Sequence, residues 1–199
     1  MTASTMLLRE PTTTAARSAV AAADELFTLH GVGPVPLQDV ADLAGLHIDV
    51  VRAEFPDDRD LVIAALARRH RSWFDGLVAA TDEHAEPRDQ LLAVFGYLET
   101  GFDDDSFRGC AFINGFGEFG RDDAGIAHLA DEHLSRTEAH IAGICVRAEL
   151  PAHLADAVTL LVQGAHVEAA IHRSSRPARS ARQAVAMLMS VYESRSDRR

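Results

Sequence analysis

Lysine does not occur in this sequence, and all 19 basic residues are arginines. Without lysine the chain cannot form a Schiff base, and it lacks the cation of a phosphate-binding P-loop. The two cysteines, Cys110 and Cys145, are too few for a disulfide framework and lack C-x-x-C spacing. We therefore expect two small buried thiols in helices rather than a redox switch, with arginine filling every cationic role.

Long apolar runs are also missing. No stretch reaches the roughly 18 apolar residues of a membrane-spanning helix, and the opening MTASTMLLRE lacks the pattern of a secretion signal. We expect a cytoplasmic protein without a membrane partner. With 199 residues and 47% hydrophobic content, the chain can bury a core as one large domain or two small ones.

Motifs of enzymes and cofactor sites are absent or out of context. Gly115, Gly117 and Gly120 match the G-x-G-x-x-G of dinucleotide sites, but that fingerprint needs a βαβ unit, and no alternating strand pattern surrounds it. The sequence has no G-x-S-x-G nucleophile elbow. We expect no enzymatic activity and no cofactor.

Ten histidines raise the question of a metal site. His133 and His140 are seven residues apart, and His166 and His172 are six apart, so some pairs could share a helix face. None belongs to an H-E-x-x-H motif or to a Cys/His cluster with zinc spacing. We expect surface or helix-capping histidines and no metal site, and a metal- or proton-responsive sensor stays open as an alternative.

Apolar spacing between residues 17 and 61 predicts three short helices. Gly31 follows the first and Gly45 the second, as expected of residues that end a helix at positive φ. Pro36 suits the first turn of the second helix. Two short helices joined by a glycine turn are typical of a helix-turn-helix. The predicted inner faces carry Val20, Ala23, Phe27 and His30, then Leu37, Val40, Ala41 and Ala44, then Ile48, Val51 and Phe55.

The rest of the chain is predicted to be helical as well, with prolines separating the segments. The fold class is therefore all-α. We expect a three-helix helix-turn-helix head over residues 1–57 and a larger helical-bundle body over residues 58–199. The predicted body helices span 59–81, 87–102, 122–149, 152–173 and 177–195.

Two motifs carry a family resemblance. The first is an early Arg, a V-x-x-A-x-x-L-F helix ending in Gly, then D-V-A-x-x-A-G-L and a closing Phe and Leu. The second is R-G-C-x-F-x-N-x-x-x-E, formed by Arg108, Gly109, Cys110, Phe112, Asn114 and Glu118. Residues of the first motif are Arg17, Val20, Ala23, Leu26, Phe27, Gly31, Asp39, Val40, Ala41, Ala44, Gly45, Leu46, Phe55 and Leu61.

Together these motifs resemble the tetracycline-repressor (TetR) family of one-component transcriptional regulators. The resemblance implies a homodimer that binds a double-stranded DNA operator and is switched by a small apolar or amphipathic effector. The effector would tilt helix 59–81 and change the spacing of two recognition helices that fit major grooves about 34 Å apart.

Polar positions of the head differ from the family pattern. Arg52 and Asp58 stand where the family has a Tyr and a Lys that contact phosphates. His47 stands at the Ser that starts the recognition helix, Asp49 at a small Gly, and Val35 at a helix-capping Thr.

The head is also acidic. Residues 1–60 contain four arginines and ten acidic residues, a net charge of about −6, whereas basic side chains supply most non-specific affinity for DNA. A TetR-like module without DNA affinity, acting through a protein partner, is therefore the alternative. The residues expected to contact an operator are Arg17, His47, Asp49, Val50, Arg52 and Arg59.

An effector pocket is expected in the body. Asn114 and Glu118 are four residues apart and could present an amide and a carboxylate from one helix face. Structural hydrogen bonding is the alternative for this pair. The aromatic residues expected to line the pocket are Trp73, Phe95, Phe102, Phe112 and Phe116.

A dimer interface is expected on the last two helices, which form it in the resembled family. Helix 152–173 carries apolar residues on more than one face, so it is predicted to pack on its own core and on a partner. The expected interface residues are Val158, Leu161, Gly164, Ala165, Ala169, Val185, Leu188 and Met189.

Overall fold

The structure, a computed structural model, describes residues 11–30, 35–120 and 122–196, with side chains as far as Tyr192. Within these ranges all regular structure is α-helical, which confirms the predicted fold class. Gly31, predicted to end the first helix, lies outside the described residues. The helices are α1 (Thr14–His30), α2 (Leu37–Ala44), α3 (Ile48–Glu54), α4 (Asp58–Asp82), α5 (Pro87–Phe102), α6 (Ala111–Phe119), α7 (Ala124–Arg147), α8 (Ala152–His172) and α9 (Arg176–Ser196).

The chain forms two compact units. Unit 1 comprises Met1–Trp73 and Cys110–His133, and unit 2 comprises Phe74–Gly109 and Leu134–Arg199. Helices α4 and α7 therefore each contribute residues to both units. The expected division into a head and a body at residues 57 and 58 stays a prediction about function.

Helices α1, α2 and α3 form a small core within unit 1. Val20, Val40 and Val51 are almost completely buried there, as their helical spacing predicts. Gly45 ends α2 with φ 65°, and its N–H bonds to carbonyls of the last turn of α2. Replacing Gly45 with a residue that has a Cβ would lower the free energy of unfolding by about 1 kcal/mol, because such residues disfavour this angle. His30 is exposed, so its predicted place on the inner stripe is wrong.

A second cluster in unit 1 joins α4, α6 and α7. Leu66 of α4, Phe112 of α6 and Leu129 of α7 are buried in it. Helix α1 is tied to α4 because Asp24 forms salt bridges with both Arg68 and Arg69. The helix-turn-helix and the first part of α4 are therefore packed as one body.

Unit 2 is a bundle in which α9 packs against both α5 and α8. Phe95 of α5, Val158 of α8 and Val185 of α9 are fully buried. Pro87 lies in the first turn of α5, and Pro151 is the N-cap residue of α8, so proline begins both helices.

Of the described helices, α8 is long and apolar enough to cross a membrane by length and composition. This is weak evidence, since the core helix of a soluble protein passes the same test. Leu154, Val158 and Val162 of α8 are buried within unit 2, as in a core helix.

Candidate functional site

Helix α3 presents its polar residues to solvent. Val51 is fully buried against α1 and α2 and anchors the helix. This orientation leaves Val50 39% exposed and the Asp49 side chain 75% exposed, with Arg52 exposed beside them. In a helix-turn-helix, the outer face of the second helix is the one that enters the major groove.

His47 begins α3 as its N-cap residue. Its Nδ1 accepts a hydrogen bond from the backbone N–H of Asp49 at 3.3 Å, the role that a hydroxyl or carboxylate oxygen usually fills. The same nitrogen lies 3.3 Å from the Asp49 carboxylate. A neutral ring can therefore cap the helix, whereas a protonated ring would donate to the carboxylate instead.

Arg17 and Arg52 differ in their surroundings. Arg17 donates from Nη1 to the carbonyl of Thr12 at 2.8 Å and from Nη2 to the hydroxyl of Thr14 at 3.2 Å, which secures the start of α1. Arg52 is exposed and makes no ion pair within the described part of the chain. Of these two cations, Arg52 is the less constrained.

Arg59 is held by an acidic residue distant in sequence. Its Nη2 donates to Oδ1 of Asp123 at 2.7 Å, and its Nε donates to Oδ2. The hydrogen bond and the attraction to Asp123 raise the pKa of Arg59, and the Arg59 hydrogen bond lowers the pKa of Asp123. A phosphate contact by Arg59 would have to compete with this carboxylate.

The acidic residues of the head lie on its surface. Asp24 is neutralised by Arg68 and Arg69. The side chains of the remaining aspartates are exposed. The excess of acidic over basic residues in the head is therefore a property of its surface. The exposed ones on α2, α3 and the start of α4 are Asp39, Asp42, Asp49, Asp57, Asp58 and Asp60.

Two of the aromatic residues predicted to line an effector pocket meet in unit 1. Phe112 is 4% exposed and stacks on the ring of His133 with centroids 4.0 Å apart. The half-buried Trp73 lies 4.7 Å from the same ring. The predicted lining residues Asn114, Phe116 and Glu118 are instead exposed on α6.

The other two predicted pocket aromatics lie in unit 2. Phe95 is fully buried in the bundle core. Phe102 packs against Phe107 at 4.7 Å and against His166 at 5.1 Å, centroid to centroid. Burial lowers the pKa of His166, which therefore stays neutral here.

Both cysteines are buried, as predicted. Burial raises the pKa of the Cys110 and Cys145 thiols, so neither is an activated nucleophile. Throughout the described ranges no three histidine, cysteine or acidic side chains come together as metal ligands.

The chain is similar to known proteins in structure, although not in sequence. No family model and no curated protein matches the sequence. A TetR-family regulator from Streptomyces coelicolor has a TM-score of 0.80 at 18% identity, with 90% of each chain covered. A TetR regulator from Chloroflexus aurantiacus has a TM-score of 0.75 at 19% identity, covering 88% of this chain and 94% of its own. The chain has the TetR-family fold.

A third structural neighbour was solved with a ligand. It is described as a transcriptional regulator from Saccharomonospora viridis in complex with choline. Its TM-score is 0.72 at 19% identity, and the match covers 88% of this chain and 95% of that one. These identities carry the fold alone, so the roles of individual residues have to come from this chain's own chemistry.

In the TetR-fold chain, the residues expected at a dimer interface lie partly on the surface of α8 and α9 and partly in the core of unit 2. Gly164 and Leu188 are exposed, and Leu161 is partly exposed. The expected interface residues that pack in the core of unit 2 instead are Val158, Ala165, Ala169, Val185 and Met189.

Sequence reasoning missed most of the apolar residues that do face solvent. Leu160 is 72% exposed and Ile171 is 70% exposed, and eleven residues, about three turns, put them on the same face of α8. The run of Leu160, Leu161 and Val162 was the available signal, but it could not tell which residue faces inward. The exposed apolar stripe of α8 and α9 consists of Leu160, Val167, Ile171, Met187, Leu188 and Val191.

A groove of about 640 Å³ lies beside this stripe. Its small residues are Gly164, Ala165 and Ala181, and its charged residues include Glu168 and Arg176. The groove and the stripe together form a surface with a shallow, largely apolar centre.

Proposed function

We propose that the protein is a one-component transcriptional regulator that binds a DNA operator as a homodimer and is switched by a small effector. The observation that carries the proposal is the geometry of the helix-turn-helix. Gly45 turns the chain so that α3 is anchored through Val51 and presents Val50 and Arg52 outward, in a chain with the TetR-family fold.

Each exposed residue of α3 has a suitable partner in DNA. Asp49 can accept from the amino group of a cytosine, and Val50 can contact a thymine methyl group. His47 can contact a base edge or a phosphate, depending on its protonation. Arg52 and Arg17 supply phosphate contacts, and Arg59 joins them only when it leaves Asp123.

The exposed apolar stripe supports a dimer. Large apolar side chains at 72% and 70% exposure are unusual for one subunit unless another surface covers them. A second copy of the chain would bring its own stripe against this one in an isologous contact. The small residues of the groove, Gly164 and Ala165, would allow close approach of a partner helix.

The effector we infer is small and apolar or amphipathic. The aromatic candidates are Phe112 and Trp73 in unit 1 and Phe95 and Phe102 in unit 2, and Asn114 and Glu118 remain the polar candidates. Of the four rings Trp73 is partly exposed, so an effector would have to displace core contacts to reach the other three. Choline is the first compound to test, because the Saccharomonospora viridis neighbour was solved with it and aromatic faces bind quaternary ammonium groups. An effector switches the protein only if it binds the two conformations with different affinity.

The remaining expectations belong to the same proposal. A regulator of this kind works in the cytoplasm, needs no cofactor or resident metal, and catalyses no reaction.

The test is binding to the protein's own upstream intergenic DNA. Fluorescence anisotropy across a series of salt concentrations should show specific binding at low salt, with affinity falling as salt rises. A scrambled duplex of equal length is the control. Equal affinity for both duplexes at every salt concentration would contradict the proposal.

A second candidate function follows from the acidic surface of the head. Six exposed aspartates on α2, α3 and the start of α4 would repel a duplex at long range, so the module could instead act through a protein partner. The same measurement separates the two functions. This candidate expects no binding of the wild-type protein to DNA even at low salt.

A further inference from the structure

Two buried histidines face each other in unit 1. His70 of α4 is 2% exposed and His133 of α7 is 3% exposed, and their Nδ1 atoms are 3.1 Å apart. A hydrogen bond between two imidazole nitrogens needs one N–H and one bare nitrogen. The 3.1 Å separation fits a pair that holds one proton between the facing nitrogens.

The aromatic rings around the pair favour a single positive charge. Phe112 stacks on His133 with an interplanar angle of 17° and meets His70 edge to face at 6.0 Å. Trp73 lies 4.7 Å from His133 on a tilted plane. Aromatic faces attract a cation above them, so they can partly offset the loss of water around an imidazolium.

Two other ionisable side chains of unit 1, Cys110 and Arg69, belong to the elements around the pair. Cys110 at the start of α6 is neutral because burial raises its pKa. Arg69 of α4 is bound by Asp24 of α1. One turn before each histidine on its own helix the residues are apolar and buried: Leu66 and Ala67 on α4, and Leu129 and Ala130 on α7. One turn after His133 come the buried Thr137 and the exposed Arg136, whose guanidinium lies over the ring of Phe74.

We propose that His70 and His133 form a proton-responsive contact that closes unit 1 at neutral pH and opens in acid. The first added proton can be shared between the two rings. A second proton removes the accepting nitrogen, so that two N–H groups and two positive charges face each other at contact distance. Repulsion in a buried site then separates α4 from α7.

The position of the pair gives the contact a regulatory use. It joins α4 to α7 in the unit that also contains the helix-turn-helix, and α1 is bound to the same α4 through Asp24. Opening the contact would loosen the support of the head, and affinity for an operator would fall at acidic pH. This last consequence rests on the proposed function, whereas the titration of the pair does not.

The titration can be followed by ¹⁵N NMR of the imidazoles in the full-length protein between pH 8 and pH 5. His70 and His133 should change together, in coupled steps. Independent single-step titration of His70 and His133 would overturn the proposal. Because this measurement uses only the wild-type protein, it does not depend on a variant that folds.

Urea unfolding at pH 7.5 and pH 5.5 is the second measurement. An unfolded histidine takes up its proton near pH 6.5, so each proton that the folded pair excludes raises the unfolding equilibrium constant about tenfold over this range. The double variant His70→Gln with His133→Gln should lose that increase, whereas the exposed control His172→Gln should keep it. The same increase in wild type and double variant would overturn the proposal.

Two further measurements separate this proposal from a metal site and from the proposed function. If zinc ions alone raise the melting temperature of the wild type at pH 7.5 but not that of the double variant, the pair is a metal site and the proposal is wrong. Operator affinity measured at both pH values should fall at pH 5.5 in the wild type only. Absence of DNA binding at pH 7.5 would contradict the proposed function and leave the NMR and unfolding tests intact.

Discussion

Arg59 at the start of α4 and Asp123 before α7 form a two-point ion pair across 64 residues of sequence. Asp123 also accepts from the backbone N–H groups of Gly125 and Ile126, as the N-cap of α7 does. One carboxylate therefore neutralises a cation near α3 and caps the long helix α7.

These two roles of Asp123 can be separated by substitution. Asp123→Asn keeps the cap and removes the charge, whereas Asp123→Ala loses both. We expect Asp123→Ala to cost about 1 kcal/mol or more of unfolding free energy, the usual value of an N-cap, and Asp123→Asn to cost less. Urea denaturation measures both. Equal losses in the two variants would mean that the charge, and not the cap, dominates.

Reversal of charge at Asp58 tests the proposed DNA-binding surface. Asp58→Lys should tighten operator binding and steepen the dependence of log affinity on log salt by about 0.9, one phosphate equivalent. Arg52→Ala should weaken binding. Asp75→Lys, also exposed and about 25 Å further along α4, is the matched control. Tight, specific wild-type binding that ignores Arg52→Ala would disprove this assignment of phosphate contacts.

The apolar stripe predicts where the dimer can be broken. Leu160→Glu with Ile171→Glu places two charges at its centre, and we expect the dimer to weaken by at least about a hundredfold. Val146→Glu is the control, since Val146 is 75% exposed on α7. Sedimentation equilibrium over a range of concentrations gives the dissociation constants. A wild type that is monomeric at every concentration would end the dimer hypothesis.

His166 predicts a pH dependence in unit 2. Burial lowers the pKa of His166 below its usual value, so the folded state favours the neutral ring and loses stability as pH falls. The loss between pH 7.5 and pH 5.5 is up to about 1.4 kcal/mol for one such group. His166→Gln should flatten the curve of unfolding free energy against pH. An unchanged curve would show that His166 is protonated equally in both states.

The helices were predictable from local sequence, because prolines and glycines mark where several of them begin or end. Pro87 and Pro151 begin helices, Gly45 ends one, and these signals act within a few residues. Apolar spacing wrongly placed His30 on the inner face of α1. The His30 side chain is exposed, where water can hydrogen-bond to its ring nitrogens.

Contacts between distant residues were not predictable. Arg59 was expected to contact an operator, and nothing near it in sequence indicates Asp123. His133 was paired with His140 by spacing along one helix, whereas its actual neighbour is His70 on another. Such pairs depend on how helices pack, which periodicity in one helix does not encode.

The burial of Cys110 and Cys145 makes the protein convenient for spectroscopy. Both thiols are shielded and have raised pKa values, so they react slowly with maleimides and other thiol reagents. A cysteine introduced at the exposed Arg52 would become the preferred attachment point for a spin label. In a dimer, double electron–electron resonance between the two spin labels would measure the distance between the two copies of α3, with and without an effector.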